Sequence, residues 1–378
     1  MTQTTVLDPH VRAIASALPE WHWSTGELLT AAGGRLSDAL ADMMGKLGVD
    51  NRHSILANYP QVLFDGAEPE VGLPAGALAV RAVRRCLDKA DVPAESIGLV
   101  IGATSSPGRL LPSMVCDLVA DLPEIPRSAD TLSVQYMGCS VIAKVVETAR
   151  WYLSCNPGKY VLAAFLDAIT PLSPPLPGRY AHFSEIEAER RQETVDAMHG
   201  FLFGDAAVAV LFESEGDGPS FGPGVSLTNE LPEDTELGTV PDGGSDVPIV
   251  HGRRLYTLSP RVAARGLWYA SRTIKEVIAS GKTGLAAPAD ATALFMHTGS
   301  KQILDGLCAE FEVRPDSDKV ASAYRVLREC GNTIGCSVPL MLAEQVHRPE
   351  GESLVMAFGL SFSAGALSMK VPPGGWTP

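Results

Sequence analysis

Three polar side chains of this sequence, Cys139, His297 and Asn332, are of the types needed for nucleophilic catalysis on a thiol. A cysteine can act as the nucleophile, a histidine as the base and an asparagine as a polar group that orients the others, and the three need not be close in sequence. Each residue also has an ordinary structural interpretation: a buried core cysteine, a hydrogen-bonded histidine and a turn asparagine. The set predicts covalent chemistry if the fold brings the three together.

Cys139 stands between a strand predicted over residues 131–138 and a helix predicted over residues 141–153. A thiol at the start of a helix lies near free N–H groups and the positive end of the helix dipole, and both favour the thiolate. Gly138, which precedes it, permits a tight strand-to-helix turn. We therefore expect a reactive thiol at this junction.

His297 and Asn332 both lie where a regular element is predicted to end. His297 is at the polar end of an apolar strand predicted over residues 291–300, which a helix over 301–311 follows. In open α/β sheets, ligands bind at the ends of the strands. Asn332 lies in the segment CGNTIG, in a break between two helical stretches within residues 322–347.

Strands and helices alternate along the chain that must position these residues. The order strand, helix, strand, with apolar strands, predicts an α/β fold whose parallel sheet is covered on both faces. Four prolines between residues 171 and 177 exclude regular structure there. The other predicted elements are helix 76–90, strand 97–104, strand 158–167, charged surface helix 185–198, strand 200–212, helix 261–280 and two strands within 352–371.

The length and one Gly/Pro-rich stretch predict two halves. The chain has 378 residues, which corresponds to two domain-sized units or to one large domain of two halves. The stretch GDGPSFGPG, residues 216–224, indicates a boundary. We therefore expect an N-terminal half over 1–222, with the cysteine, and a C-terminal half over 223–378, with the histidine and the asparagine.

Composition excludes several other classes of protein. The net charge of −14 argues against binding to nucleic acid or to anionic lipid. No apolar run approaches the roughly 20 residues that span a bilayer, and the N-terminus does not resemble a secretory signal. Seven cysteines without a CxxC pair indicate reduced thiols and a cytoplasmic protein. The histidines lack metal-ligand spacing, so we expect no metal site.

Five segments, spread over most of the chain, occur together in an order that resembles one superfamily. They are MGCS (137–140), FLFGDAAVAVLF (201–212), MHTGSKQILDGL (296–307), VLRECGNTIGCSVPLML (326–342) and AFGLSFSAGALSMK (357–370). The sequence is similar to condensing enzymes of the thiolase superfamily, near chalcone-synthase-like type III polyketide synthases and ketoacyl-ACP synthase III. The resemblance implies a thiolase-like fold of two similar αβαβα halves in five layers, a homodimer, and no cofactor.

The resemblance also implies a role for each of the three polar residues. Cys139 would hold the acyl group as a thioester. His297 and Asn332 would donate hydrogen bonds to the thioester oxyanion and to the enolate that forms when a malonyl unit loses CO2. The implied reaction is a decarboxylative Claisen condensation, in polyketide or other secondary-metabolite biosynthesis.

Three further residues match substrate-binding positions of the type III enzymes. Phe203 corresponds to a pocket phenylalanine near the cysteine, Tyr256 to a second aromatic residue, and Ile334 to a position that often carries serine. The segment 171–199 is longer than is usual in these enzymes and could cover the entrance or a dimer edge. The C-terminal loop FGLSFSAG, residues 358–365, differs from the family's GFGPG, which indicates a different pocket shape.

Two other functions and two means of substrate delivery stay open. The chain could transfer the acyl group to an oxygen or nitrogen acceptor, or it could be a silent partner subunit. The substrates could be bound to CoA or to an acyl carrier protein. Ala39 and Asp42 fall where type III enzymes have cations for CoA, which favours weak CoA binding and carrier delivery. Lys46 and Arg52 lie near the expected CoA positions. The candidate basic residues for a carrier protein are Lys144, Arg150, Arg253 and Arg254.

Overall fold

The computed structural model describes residues 6–240, 242–248, 256–344, 350–359, 362–374 and 376. The strands in this part of the chain are β1 (His10–Ala17), β2 (Trp21–Ser24), β3 (Asn51–Ser54), β4 (Ile97–Thr104), β5 (Asp130–Gln135), β6 (Tyr160–Asp167), β7 (Ala206–Glu213), β8 (Ser220–Thr228), β9 (Gly238–Thr239), β10 (Thr257–Leu258), β11 (Leu294–Met296), β12 (Gly351–Gly359) and β13 (Ser363–Val371). The helices are α1 (Thr25–Ala32), α2 (Asp38–Gly45), α3 (Tyr59–Phe64), α4 (Ala75–Ala90), α5 (Met114–Asp121), α6 (Val141–Cys155), α7 (Arg191–Leu202), α8 (Val262–Ala279), α9 (Lys301–Glu310), α10 (Ala321–Cys330) and α11 (Ser337–Ala343).

Nine strands form a continuous mixed sheet in the order β11-β12-β13-β8-β1-β7-β6-β4-β5. The sheet consists of two parts that one residue pair, His10 and Ser220, joins between β1 and β8. Both parts have the same plan. In the first, β4 and β6 are parallel, and β6–β7 and β7–β1 are antiparallel. In the second, β11 and β12 are parallel, and β12–β13 and β13–β8 are antiparallel. The two halves therefore repeat one topology although their sequences show no repeat.

Helices cover both parts of the sheet and separate them. α4 packs on β1, β6 and β7, and α8 packs on β8, β12 and β13. α6 contacts β4, β6, β8, β12 and β13, and α11 contacts β1, β7, β11 and β12, so each touches strands of both parts. The layers are therefore helix, sheet, helix, sheet, helix, which confirms the predicted thiolase-like α/β fold.

The structure differs from the sequence-based expectation at β1, β7 and β8. β1 was not predicted, although its sequence HVRAIASA alternates polar and apolar residues except at Ile14. The strand expected from residue 200 begins at Ala206, since α7 extends to Leu202. β8 occupies part of the expected boundary stretch, where Pro223 and Gly222 are tolerated because β8 is largely an edge strand with an irregular register against β13.

The boundary between the two halves stays a proposal. The expected division at residues 222 and 223 lies inside β8, which belongs wholly to the C-terminal part of the sheet. We therefore place the change between the end of β7 and the start of β8. No helix in the described part of the chain is long and apolar enough to cross a membrane.

Candidate active site

All six residues predicted for the site line one cavity of about 670 Å³. The cavity lies where the two halves meet, and most of its wall is apolar. The fold therefore brings together side chains that are up to 195 positions apart in the sequence. Chemistry on Cys139 requires that they meet. The six residues are Cys139, Phe203, Tyr256, His297, Asn332 and Ile334.

Cys139 lies in a 3-10 turn, Gly138–Ser140, that leads directly into α6. Gly138 has a φ of 58°, in the left-handed region, so the predicted need for glycine at this turn is confirmed. The backbone N–H of Gly138 donates to Ser105 Oγ at 3.1 Å, and the hydroxyls of Ser140 and Ser363 are 2.6 Å apart. These contacts fix the turn with Cys139, called the nucleophile turn for the role predicted from the sequence, to the end of β4 on one side and to β13 on the other.

The electrostatic surroundings of Cys139 differ from the expectation. The side chain is buried, and burial raises the pKa of the Cys139 thiol well above its ordinary value, with the charge of Asp167 acting in the same direction. The predicted preference for the thiolate is therefore wrong for the free protein, because loss of solvation outweighs the helix terminus. Attack by this thiol would need a base to remove its proton.

His297 contributes a neutral imidazole to the cavity. It directly follows β11, and its backbone N–H donates to Met356 O at 3.0 Å on β12. The imidazole packs against Phe358, with 4.6 Å between ring centroids. Burial lowers the pKa of His297 to about 3, so the ring is neutral at pH 7. Neither ring nitrogen has a hydrogen-bond partner among the described residues, which leaves one free donor and one free acceptor.

Asn332 is both a turn residue and a hydrogen-bond donor of the cavity. Its Oδ1 accepts from the backbone N–H of Ile334 at 2.9 Å, and its own backbone N–H donates to Leu202 O at 2.9 Å. The turn contact fixes the amide plane and assigns Nδ2 as the free end. Nδ2 has no partner within the described chain, so it can donate to a substrate oxygen.

Ile334 has a strained backbone at the wall of the cavity. Its φ of 50° lies in the left-handed region, which costs about 1–2 kcal/mol for a residue with a Cβ. The hydrogen bond to Asn332 and the burial of the side chain hold this conformation. Such outliers cluster at functional sites. The apolar Ile334 side chain closes the wall where the resembling enzymes often have a hydroxyl.

Sequence reasoning missed one residue of the aromatic wall, His199. Its buried ring packs edge-on against Phe203, at 5.3 Å between centroids, and against Tyr256, at 5.9 Å. His199 lies in the last turn of α7, and Phe203 directly follows the helix. The segment 171–199 was expected to cover the entrance or a dimer edge, and it contributes Phe183, Val195 and other residues to this cavity.

Gly359, the last residue of β12, lies against the nucleophile. A Cβ on Gly359 would be 2.6 Å from the backbone nitrogen of Cys139. Only glycine lets β12 approach the turn this closely. Phe358, Gly359 and Phe362 of the divergent C-terminal loop line the cavity, whereas residues 360 and 361 lie outside the described chain.

The described basic residues considered for CoA or for a carrier protein do not form a patch at the cavity. Arg150 is buried and bonds Asp8, Glu147 and backbone carbonyls, and Arg52 is buried against backbone carbonyls and Thr25. Lys46 pairs with Asp42 at the surface. Lys144 is half-buried, and neither it nor Ala39 lines the cavity, while residues 253 and 254 lie outside the described chain. The arginine that does line it is Arg191.

A metal has no evident place in the described part of the structure, where no group of three or more His, Cys, Asp or Glu side chains is arranged to hold one. The seven cysteines are free thiols. The site offers a thiol, imidazole and amide hydrogen-bonding groups, and a mostly apolar wall.

Comparison with known proteins places these features in a family context. A family model described as the C-terminal domain of 3-oxoacyl-[acyl-carrier-protein (ACP)] synthase III matches residues 282–371. Beta-ketoacyl-[acyl-carrier-protein] synthase III of Geobacillus kaustophilus is 23% identical over 302 residues, which cover 78% of this chain and 82% of the relative. The enzyme of the same description from Agrobacterium fabrum is 28% identical over 309 residues, or 79% of this chain and 85% of the relative.

Solved structures of two kinds share the fold. The polyketide synthase PKS-I of the brown alga Ectocarpus siliculosus superposes with a TM-score of 0.77 at 18% identity, over 98% of this chain and 100% of that one. The 3-oxoacyl-(acyl carrier protein) synthase III of Pseudomonas aeruginosa superposes with a TM-score of 0.71 at 19% identity, over 97% and 98%. The chain therefore has the thiolase-like fold and is similar to condensing enzymes of the synthase III and type III polyketide synthase kinds.

Proposed function

We propose that this protein is an acyltransferase of the ketosynthase kind, which forms a C–C bond by decarboxylative Claisen condensation in polyketide or other secondary-metabolite biosynthesis. The observation that carries the proposal is the meeting of Cys139, His297 and Asn332 in one mostly apolar cavity. The neutral His297 ring and the Asn332 amide both have free hydrogen-bonding groups there.

The first step transfers an acyl group to Cys139. As the sulfur attacks the thioester carbonyl, His297 takes the thiol proton, and the tetrahedral oxyanion receives a hydrogen bond from Asn332 Nδ2. Collapse expels the thiol of the donor, to which His297 returns the proton. Proton transfer to a neutral imidazole is required because burial keeps Cys139 protonated.

The second step uses a malonyl-type thioester. Its carboxylate leaves as CO2, and the electron pair of the broken bond forms an enolate whose oxygen accepts hydrogen bonds from His297 and Asn332. The enolate carbon attacks the acyl carbonyl on Cys139 and forms the new C–C bond. Cys139 leaves as a thiolate and takes a proton from water, which the raised pKa of the buried thiol favours.

Release of labelled CO2 from malonyl thioester labelled at its free carboxyl group tests this function. We expect His297→Ala and Asn332→Ala to slow the release roughly 100–1,000-fold, the usual loss when one oxyanion donor is removed. Acylation of Cys139 should survive only in part in Asn332→Ala, because that variant also loses the oxyanion donor of the first step. Cys116→Ala is the control, because that exposed cysteine lies outside the cavity.

The outcomes of this assay also separate the alternatives. Full CO2 release by Asn332→Ala would show that Asn332 is only a turn residue. Transfer of the acyl group to an oxygen or nitrogen acceptor without CO2 release would identify a different acyltransferase. A wild-type protein that neither becomes acylated nor releases CO2 would be a silent partner subunit.

We further propose that at least one acyl or malonyl substrate arrives on an acyl carrier protein rather than on CoA. The support is electrostatic: CoA carries several phosphate charges, and among the described residues that line the cavity Arg191 alone is permanently charged. The test compares kcat/KM for one acyl group on CoA and on a carrier protein. Equal or better use of both CoA thioesters at low micromolar KM would refute carrier delivery.

A homodimer in the cytoplasm is the assembly and location that we propose. β5 is the last strand of the sheet and pairs only with β4 among the described strands. Its first four residues are exposed, including Leu132. An open edge strand of this kind is a template for pairing with another chain. Seven free cysteines agree with a reducing compartment.

A further inference from the structure

One face of α7 forms a wall of the cavity. Arg191, Val195, Met198, His199 and Leu202 all line it, at the spacing of a single helical stripe. Charge lies at the first turn of this stripe and apolar side chains follow. His199 is the one uncharged polar member, and the reaction steps derived above leave it without a role.

The surroundings of His199 hold its ring but do not satisfy its hydrogen-bonding groups. The side chain is 3% exposed, and edge-on contacts with Phe203 and Tyr256 restrict its rotation. Its Nε2 is buried without a partner, and Nδ1 also has none among the described residues. Burial lowers the pKa of His199 to about 4, so the ring is neutral and offers one donor and one acceptor.

Burying the His199 imidazole without a hydrogen bond costs free energy, and a ligand that supplies the missing partner removes this cost. Buried polar groups in proteins are nearly always hydrogen-bonded, and an imidazole left alone in an apolar wall loses its hydration without compensation. The contrast with Asn332 is informative, since its Oδ1 is satisfied by the backbone of Ile334. His199 has no such internal partner, although its ring is as fixed as those of the neighbouring aromatic residues.

We propose that His199 is a specificity residue that hydrogen-bonds a hydroxyl or keto oxygen on the acyl chain held by Cys139. The ring would donate to a keto oxygen, and it would accept from or donate to a hydroxyl group. The preferred substrates are then oxygen-bearing acyl thioesters rather than plain hydrocarbon ones, because a plain chain leaves His199 unpaired. This inference rests on the proposed acylation of Cys139.

The experiment measures the second-order rate of Cys139 acylation by intact-protein mass spectrometry. The probes are straight-chain acyl thioesters of equal length, either plain or with one hydroxyl or keto group at carbon 3, 5 or 7, all on the same thiol carrier. We expect the wild-type protein to prefer at least one oxygenated probe about 10-fold or more over the plain chain. His199→Phe keeps an aromatic ring and should reduce this preference to near one, while His199→Gln should retain part of it.

The control is His22→Phe, which replaces an exposed histidine outside the cavity and should keep the wild-type preference. Equal rates for plain and oxygenated chains in the wild-type protein would overturn the inference, as would an unchanged preference in His199→Phe. Should His199→Phe fail to fold, the wild-type and His199→Gln rates decide the question. Failure of every probe to acylate Cys139 would instead contradict the proposed function.

Discussion

At Cys139, two influences on the thiol oppose each other. The start of α6 favours the thiolate, while burial and Asp167 raise the pKa of the thiol, and burial prevails. In the proposed mechanism the neutral His297 ring accepts the thiol proton at the moment of attack, although the burial that keeps the ring neutral also weakens it as a base. The resting site thus carries no buried ion pair between these two residues. Its reactivity depends on geometry between neutral groups.

The neutral state of a buried histidine has a measurable effect on stability. The pKa of His199 falls from 6.5 to about 4 on folding, so below pH 6.5 the unfolded chain binds a proton that the folded chain does not. The contribution of His199 to wild-type stability therefore falls as pH falls from about 6.5 to about 4. His199→Phe lacks this loss and should gain on the wild type by about 1.4 kcal/mol per pH unit in that window.

Urea unfolding at pH 7.5, 5.5 and 4.5 measures the difference between the two proteins. Asp167 and Asp205, whose pKa values burial raises to about 7 and about 6, act with the opposite sign but are present in both and cancel. His199→Gln should show the same trend as His199→Phe, since it too removes the imidazole. A difference that stays constant with pH would show that His199 is not a buried neutral group.

The sequence predicted which residues meet at the site better than it predicted their protonation. The order of the motifs predicted from the sequence alone that Cys139, His297 and Asn332 share one site. Desolvation of the Cys139 thiol depends on strands and helices from both halves, so no local pattern could reveal it. His199 was hidden for a related reason: the charged stretch before it indicates a surface helix, and only the fold turns its other face to the cavity.

At the scale of elements, the site depends on how closely β12 approaches the start of α6. Helix and strand periodicity predicted α4, α6, β4 and β6 well, because their apolar faces are continuous. β8 was missed because glycine and proline indicate turns when the neighbouring β13 is unknown. Close contact between distant elements is what the sequence alone does not show.

Gly359→Ala tests this contact. The added Cβ would lie 2.6 Å from the backbone nitrogen of Cys139, so either β12 or the nucleophile turn must shift. We expect a loss of about 1–3 kcal/mol of stability from overpacking and a large fall in the rate of Cys139 acylation. Thermal unfolding and intact-protein mass spectrometry measure the two effects.

Gly76→Ala is the matched control for this variant. Gly76 lies in α4, and no atom is within 4 Å of the Cβ that alanine would add. Because alanine has the higher helix propensity, the control should be neutral or more stable by up to about 1 kcal/mol. Acylation by Gly359→Ala at the wild-type rate would show that the close approach of β12 is not needed for the site.

For the whole molecule, the repeated topology explains why one cavity draws residues from both halves. In each half, strands end and the central helix begins at the interface between the two halves. Cys139 therefore comes from one half, and His297 and Asn332 come from the other. The net charge of −14 agrees with the proposed delivery on a carrier protein, and so does the finding that Arg191 alone is permanently charged among the described residues of the cavity wall.

The proposed homodimer can be tested at the edge of the sheet. Sedimentation velocity should show the wild-type protein at twice the mass of the 378-residue chain. Leu132→Lys places a charge on the exposed edge strand β5 and should weaken the association, whereas Trp151→Lys, on the exposed face of α6, should not. A monomeric wild type, or a Leu132→Lys dimer of unchanged affinity, would contradict pairing through β5.

The covalent role of Cys139 has a direct test. The protein is incubated with acyl thioesters, digested, and searched by mass spectrometry for the cysteine that carries the acyl group. We expect the mass shift on the peptide that contains Cys139 and its disappearance in Cys139→Ala. An acyl group on Cys116, Cys155 or Cys336, with Cys139 unmodified, would contradict the proposed nucleophile.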